Sequence, residues 1–303
     1  MPVIIDILNC GSGQAGTWFD GCKVTPKDFT KAFLLSPSAS IDLLTDTFDN
    51  AAIALLIKKG QLVPLNDVLQ VAEAGAKSNF QTLPNKKKLF ISQGLLDFNL
   101  EFEANVCLIK SLHKLAKKRW GLALLDSEGK FFFDNKGGKL NGFEIQDFSV
   151  GNETVNDGGS KLAMVSVDIQ LTQDGTKGYN ERKSFILSTD ALDFYEINGV
   201  QDVTVKADTL SIAALKVSVL SGCDNSTPVL GLTTPNFRML NAATGADIAI
   251  TVAELGDGQY AITGASVGAR TIQLFDIPNN SKVADILATQ FYQSNVLAAV
   301  LVA

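Results

Sequence analysis

The sequence predicts a mainly β protein with flanking helices, an α+β chain arranged as two successive antiparallel β-sandwiches. Three observations lead there. From Trp120 onward apolar and polar residues alternate with the two-residue period of strands. The segments between those runs are rich in Gly, Asn and Asp, the residues of turns. After Gly199 short runs of Val, Ile, Thr and Ala recur with a glycine turn every several residues, at the spacing of a sandwich. The shift in character near residue 200 divides the chain into two expected domains, 1–200 and a sandwich, 201–303.

Taken in order, residues 3–8 read as a strand that ends in a glycine cluster. Thr25-Pro26-Lys27-Asp28 reads as a helix start, with Thr25 as cap and Pro26 at the first helical position, and 29–35 as the helix body. A second helix is expected from Asp46 or Thr47 to Lys59, with Phe48, Ala52, Leu55 and Leu56 on one face and Gly60 as its stop. A third is expected over 102–119, where Val106, Ile109, Leu112 and Leu115 have helical spacing and Lys110, Lys114, Lys117 and Lys118 lie on or near the other side as a solvated basic face. A hairpin follows, 120–125 and 130–133 around the turn Asp126-Ser127-Glu128-Gly129. Strands are expected at 143–150, 161–172 and 183–187, with polar loops at 151–159 and 173–182. In the second domain the expected strands are 203–205, 216–220, 236–240, 248–252, 259–262 and 271–275.

Composition narrows the chemistry. The apolar runs at 51–57 and 296–303 fall well short of the ~20 residues that span a bilayer, so no membrane insertion is expected. The amino terminus lacks a basic region and a small-residue cleavage site and is expected to begin the mature chain. Cys10, Cys22, Cys107 and Cys223 are scattered with no C-x-x-C pair, and reduced thiols of cytoplasmic origin are expected. A net charge of -6 opposes general phosphate binding, though an acidic surface suits a passage for DNA.

The sequence carries no expected catalytic, cofactor or metal site. Gly11-Ser12-Gly13-Gln14-Ala15-Gly16 matches the dinucleotide fingerprint G-x-G-x-x-G, but Gly21 and a late helix start remove the βαβ context that fingerprint needs, and the segment reads as an arm. His113 is the single histidine, set among lysines, with no E-x-x-H or H-x-x-x-H spacing. Asp46 with Asp49, and Asp190 with Asp193, read as caps. Asn156-Asp157-Gly158 lacks the oxygen ladder of a calcium loop and reads as a turn. Phe131-Phe132-Phe133 puts rings on both faces of one strand, to be covered by another subunit or by a helix of the same chain.

The order of parts, an arm, a helix, the 120–133 hairpin, long polar loops and an appended sandwich, resembles the tail tube proteins of bacteriophages. Residues 48–65 and 117–167 carry most of the resemblance, which covers about residues 1–200. The phrase Gly256-Asp257-Gly258-Gln259-Tyr260-Ala261-Ile262-Thr263-Gly264 resembles the immunoglobulin-like add-on domains of phage and bacterial surface proteins. The resemblance implies a virion structural protein and not an enzyme. It is expected to be made in the host cytoplasm and to form homo-oligomeric, hexameric rings that stack into a tube, alongside other tail proteins. DNA would pass through without specific binding, and the outer domain would make at most weak host-glycan contact. Subunit contacts are expected at Asn9, Gly11, Gly13 and Gly16 of the arm, at Phe131 and Phe133, and at Gly151, Asn156, Asp157 and Gly158. The alternatives are a capsid or head-decoration protein, and a surface adhesin or carbohydrate-binding module, the latter weakened by few Tyr and Trp.

Overall fold

The computed structural model describes residues 4–6, 26–39, 41–43, 46, 48–66, 68–75, 79–92, 94–154, 163–181, 183–189, 192–286 and 290–302. Among them the protein is mainly β, with several sheets and three α-helices. The chain divides into two compact units: Met1–Leu56 with Gly60–Glu196, and Ile57–Lys59 with Ile197–Ala303.

The first unit carries β1 (Ile4–Asp6), β2 (Phe29–Leu35), α1 (Asn50–Lys58), β3 (Leu62–Leu65), β4 (Val68–Ala74), β5 (Asn79–Thr82), β6 (Lys88–Ser92), β7 (Asp97–Glu103), α2 (Val106–Leu115), β8 (Gly121–Asp126), β9 (Lys130–Lys136), β10 (Lys139–Asn141), β11 (Phe143–Val150), β12 (Met164–Leu171), α3 (Gln173–Glu181) and β13 (Lys183–Leu187). Strand β8 is the pivot. One of its edges pairs with β2 along its whole length, while the other is shared, Leu124 and Leu125 pairing with β9 and Gly121 and Leu122 with β11. The ladder forks there into one wing through β9, β13 and β1 and another through β11, β12, β7 and β4.

The fork needs two glycines. A Cβ on Gly142 would lie 2.3 Å from the Gly121 carbonyl carbon, and one on Gly121 would lie 2.7 Å from the Gly142 backbone. An irregular step between Ile145 and Asp147 then turns β11 into the second wing. Between the wings lies a core of Leu34, Phe98, Leu100, Phe102, Leu122, Phe132, Val167 and Tyr179, with Leu112 of α2 added.

Four expectations are corrected. The expected helix body, 29–35, is a central strand, β2, and residues 26–28 before it are irregular; Thr25 lies outside the described residues. Buried between β3 and β8, it needs apolar residues on both faces, and such a run carries no strand period. The third helix begins at Val106, not 102: Phe102 and Glu103 finish β7, and Asn105 caps α2 by accepting the Cys107 N–H at 2.9 Å. The expected loop at 173–182 contains α3, started by Thr172 Oγ1 accepting the Gly175 N–H at 2.9 Å. Two glycines argue against a helix by propensity, but packing requires Gly175, since a Cβ there would sit 2.3 Å from the Glu144 carbonyl oxygen. Finally, Cys107 and Cys223 are disulfide-bonded rather than reduced. Wide spacing in sequence does not prevent pairing, because folding brings distant residues together.

Other expectations hold. The second helix exists as α1, though it begins at Asn50 and not at Asp46 or Thr47, so Phe48 precedes it; Gly60 follows at φ +64°. The 120–133 hairpin is β8 and β9, its turn organised by Asp126, whose Oδ1 accepts the Glu128 and Lys130 N–H groups, both at 2.9 Å. Strands occupy 143–150, 164–171 and 183–187.

The second unit holds β14 (Val200–Thr209), β15 (Lys216–Ser221), β16 (Thr227–Pro228), β17 (Phe237–Asn241), β18 (Asp247–Ile248), β19 (Thr251–Gly256), β20 (Gln259–Thr263), β21 (Gly268–Leu274), β22 (Val283–Ile286), β23 (Gln290–Ser294) and β24 (Leu297–Leu301). Its larger sheet runs β19-β20-β15-β14-β23-β22, with β14 and β23 parallel, and its smaller sheet runs β18-β17-β21-β24. Both contribute to one core, including Val205, Val217, Val219, Phe237, Met239, Tyr260, Ile272 and Leu274. Five of the six strand expectations fall on single strands, the expected 248–252 strand is split between the end of β18 and the start of β19 in different sheets, and β16 and β22 to β24 were not anticipated.

Candidate assembly surfaces

Strands β11, β12, β7 and β4 turn a polar face away from the core. Alternation is strict along β7, where Phe98, Leu100 and Phe102 are buried and Asp97, Asn99, Glu101 and Glu103 point the other way. Strand β12 repeats it, with Ser166, Asp168 and Gln170 outward. Register places Asp97 beside Gln170, Asn99 beside Asp168 and Glu101 beside Ser166, while Asp147 of β11 also lies beside Gln170. Four of the five carboxylates therefore face an amide or hydroxyl, Glu103 faces Met164, and none faces another carboxylate, which keeps five like charges tolerable on one face. The Asn99 amide donates to Asp168 Oδ1 at 2.6 Å. None of these four strands contains Lys, Arg or His.

The opposite charge is gathered on α2 and the turn after it. Lys110, His113 and Lys114 stand at i, i+3 and i+4 on the exposed side of the helix, and Lys117, Lys118 and Arg119 follow, all exposed. Leu112 is buried on the other side. Elsewhere basic groups find carboxylates: Lys27 and Lys130 pair with Glu128, Lys136 with Asp134 at 3.1 Å, and Arg238 with Asp247. No ion pair joins any of the five Lys and Arg of the α2 region to a carboxylate among the described residues.

A third feature is the hairpin of β5 and β6. Among the described residues these strands pair only with each other. Its turn is closed by the Leu83 N–H to the Lys87 carbonyl at 2.8 Å, with Lys86 at φ +63°. Phe80 and Leu89 are 53% and 52% exposed. A lone two-stranded hairpin is marginally stable in water, and the exposed half of two large apolar side chains adds a further cost.

The residues singled out in the sequence are placed as follows. Asn9, Gly11, Gly13 and Gly16, and Asn156, Asp157 and Gly158, lie outside the described residues, as do Cys10, Cys22 and Asp190. Gly151 is half-buried and donates its N–H to the Ser166 carbonyl at 2.8 Å, at the margin of the acidic face. Phe131 and Phe133 have no exposure at all. Phe131 stacks on Phe194 at 4.3 Å and meets Phe33 edge-on at 5.2 Å, so this chain itself covers them and no second copy can reach them. His113 is exposed.

The second unit has a groove of about 500 Å³ lined by Met239, Ile248, Ile250, Phe275 and Ile277. At its side Arg238 lies over the Phe275 ring at 4.6 Å and grips Asp247 through two bonds, of 2.5 and 2.8 Å. That pair holds the Asp247 carboxyl below its ordinary range. No cluster of three or more His, Cys, Asp or Glu is poised for a metal among the described residues.

The acidic face escaped sequence reading because β7 was overlooked. Its signal was present as the alternation of Asp97-Phe98-Asn99-Leu100-Glu101-Phe102-Glu103. No protein-family model matches the chain, and no curated protein matches it in sequence.

Proposed function

We propose that this protein is a self-assembling structural subunit of a virion, a phage tail tube protein whose copies form stacked rings around a passage for DNA. The observation that carries this reading is the β5–β6 hairpin. A hairpin that pairs with no other strand among the described residues and leaves about half of Phe80 and Leu89 exposed gains stability when a neighbouring copy covers it. The forked two-wing sheet of the first unit is compatible with the tail-tube sandwich, and the two-sheet second unit with an immunoglobulin-like appendage. A net charge of -6 disfavours adhesion to passing DNA. Disulfides at Cys107 and Cys223 suit a particle that leaves the reducing cytoplasm.

The disulfides also favour a second reading, an extracellular binding module that uses the groove beside Arg238. Sedimentation velocity over a concentration series separates the two. Growth of large species with concentration supports the tube subunit, whereas a monomer at every concentration favours the binding module.

A further inference from the structure

We propose that the basic face of α2 docks on the acidic face of β11, β12, β7 and β4 of a second copy of this chain, joining subunits head to tail. This rests on the self-assembly reading and specifies the surfaces involved.

Charge complementarity within one sequence carries the argument. One face presents Asp97, Glu101, Glu103, Asp147 and Asp168 on strands that contain no base, and the other presents five cations, Lys110, Lys114, Lys117, Lys118 and Arg119, that form no ion pair among the described residues. The helix C-terminus accounts for attraction of one or two cations to its last turn, but not for Lys110 or for five in ten residues. Spacing agrees as well. Lys110 and Lys114 stand about 6 Å apart along the helix axis, close to the ~7 Å between Glu101 and Glu103 along β7.

A nucleic acid would also present negative charge to α2. It would approach a chain of net charge -6, however, against the long-range field, and would leave the acidic face unexplained. Two different faces of one molecule in mutual contact make a heterologous interface. Such interfaces close into rings or continue as filaments.

The experiment uses full-length chains in sedimentation velocity at about 0.01 M and about 1 M salt, where screening lengths are ~30 Å and ~3 Å. Three variants are compared: Lys114→Glu with Lys117→Glu, Glu103→Lys with Asp168→Lys, and all four together. Circular dichroism melting verifies that each is folded. Either double reversal is expected to weaken low-salt association by about tenfold or more, and the fourfold reversal to restore it to within about threefold of wild type. A wild type that associates equally at both salts, or double reversals without effect, would overturn this interface while leaving self-assembly standing. Loss of DNA retention on reversal of the lysines, with self-association unchanged, would overturn it in favour of a nucleic-acid face. A wild type that stays monomeric at low salt overturns it too. Whether self-assembly itself fails is then decided separately, by microscopy at high protein concentration.

Discussion

Replacing Gly142 by alanine should cost the first unit much of its stability, and the reason is distance. The added Cβ would stand 2.3 Å from the carbonyl carbon of Gly121 and 2.6 Å from its Cα and oxygen. Ordinary contact begins near 3.4 Å, so about 1 Å of backbone displacement is required. The obstacle is the main chain of β8, held by ladder bonds to β2 on one side and β11 on the other, and it cannot swing away as a side-chain tip would. Overpacking of this kind costs about 1–3 kcal/mol, and an immobile partner puts Gly142→Ala at or above ~3 kcal/mol. Neither Gly142 nor Gly121 has positive φ, so chain entropy alone would make alanine stabilising by about 0.4–1 kcal/mol. The two effects have opposite signs. Gly75→Ala, where nothing lies within 4 Å of the new Cβ, is the control and should be neutral or slightly stabilising. Urea unfolding followed by the fluorescence of Trp120, buried in the first unit's core, reads the change as a shift in midpoint. A Gly142→Ala chain as stable as wild type would refute the forked backbone contact.

Two further outcomes are expected. Lys130 and Lys27 bond the Glu128 carboxylate and lower its pKa to about 2, against an ordinary value of about 4.3; because the folded pKa is depressed, its contribution is present above pH ~4.3 and is lost as pH falls through about 2. Carboxyl titration by NMR checks this, and a Glu128 midpoint near 4.3 would show that neither lysine engages it. Iodoacetamide should leave Cys107 and Cys223 unlabelled in the folded, unreduced protein and label both after reduction, with a loss of about 2–5 kcal/mol per bond removed. Labelling without reduction would return those positions to free thiols.

The parts legible in sequence were those with a local signal. The Asp126-Ser127-Glu128-Gly129 turn, the Gly60 stop after α1 and the glycine-punctuated strands of the second unit all declare themselves within a few residues. What was not legible depended on partners far along the chain. Strand β2 looks helical because both its faces are buried, and only its place between β3 and β8 makes it a strand. Helix α3 contains two glycines that local propensity rejects; contact with the Glu144 backbone requires Gly175, and Gly178 sits tightly against the Asp134 carboxylate. The Phe131 and Phe133 rings suggested a subunit contact, but Phe33 and Phe194, distant in sequence, had already covered them. The acidic face is a composite of four strands, and its lack of cations emerges only once their register is known.

The claim that copies of this chain build a tube is tested most directly by negative-stain electron microscopy of the purified protein over a concentration series, beside a chain carrying Phe80→Ser and Leu89→Ser. The account predicts rings or hollow tubes for the wild type, and folded single subunits for the variant, because the exposed hairpin side chains would no longer be worth covering. Wild-type particles that remain single at the highest concentration, or a variant that assembles as fully as the wild type, would contradict it.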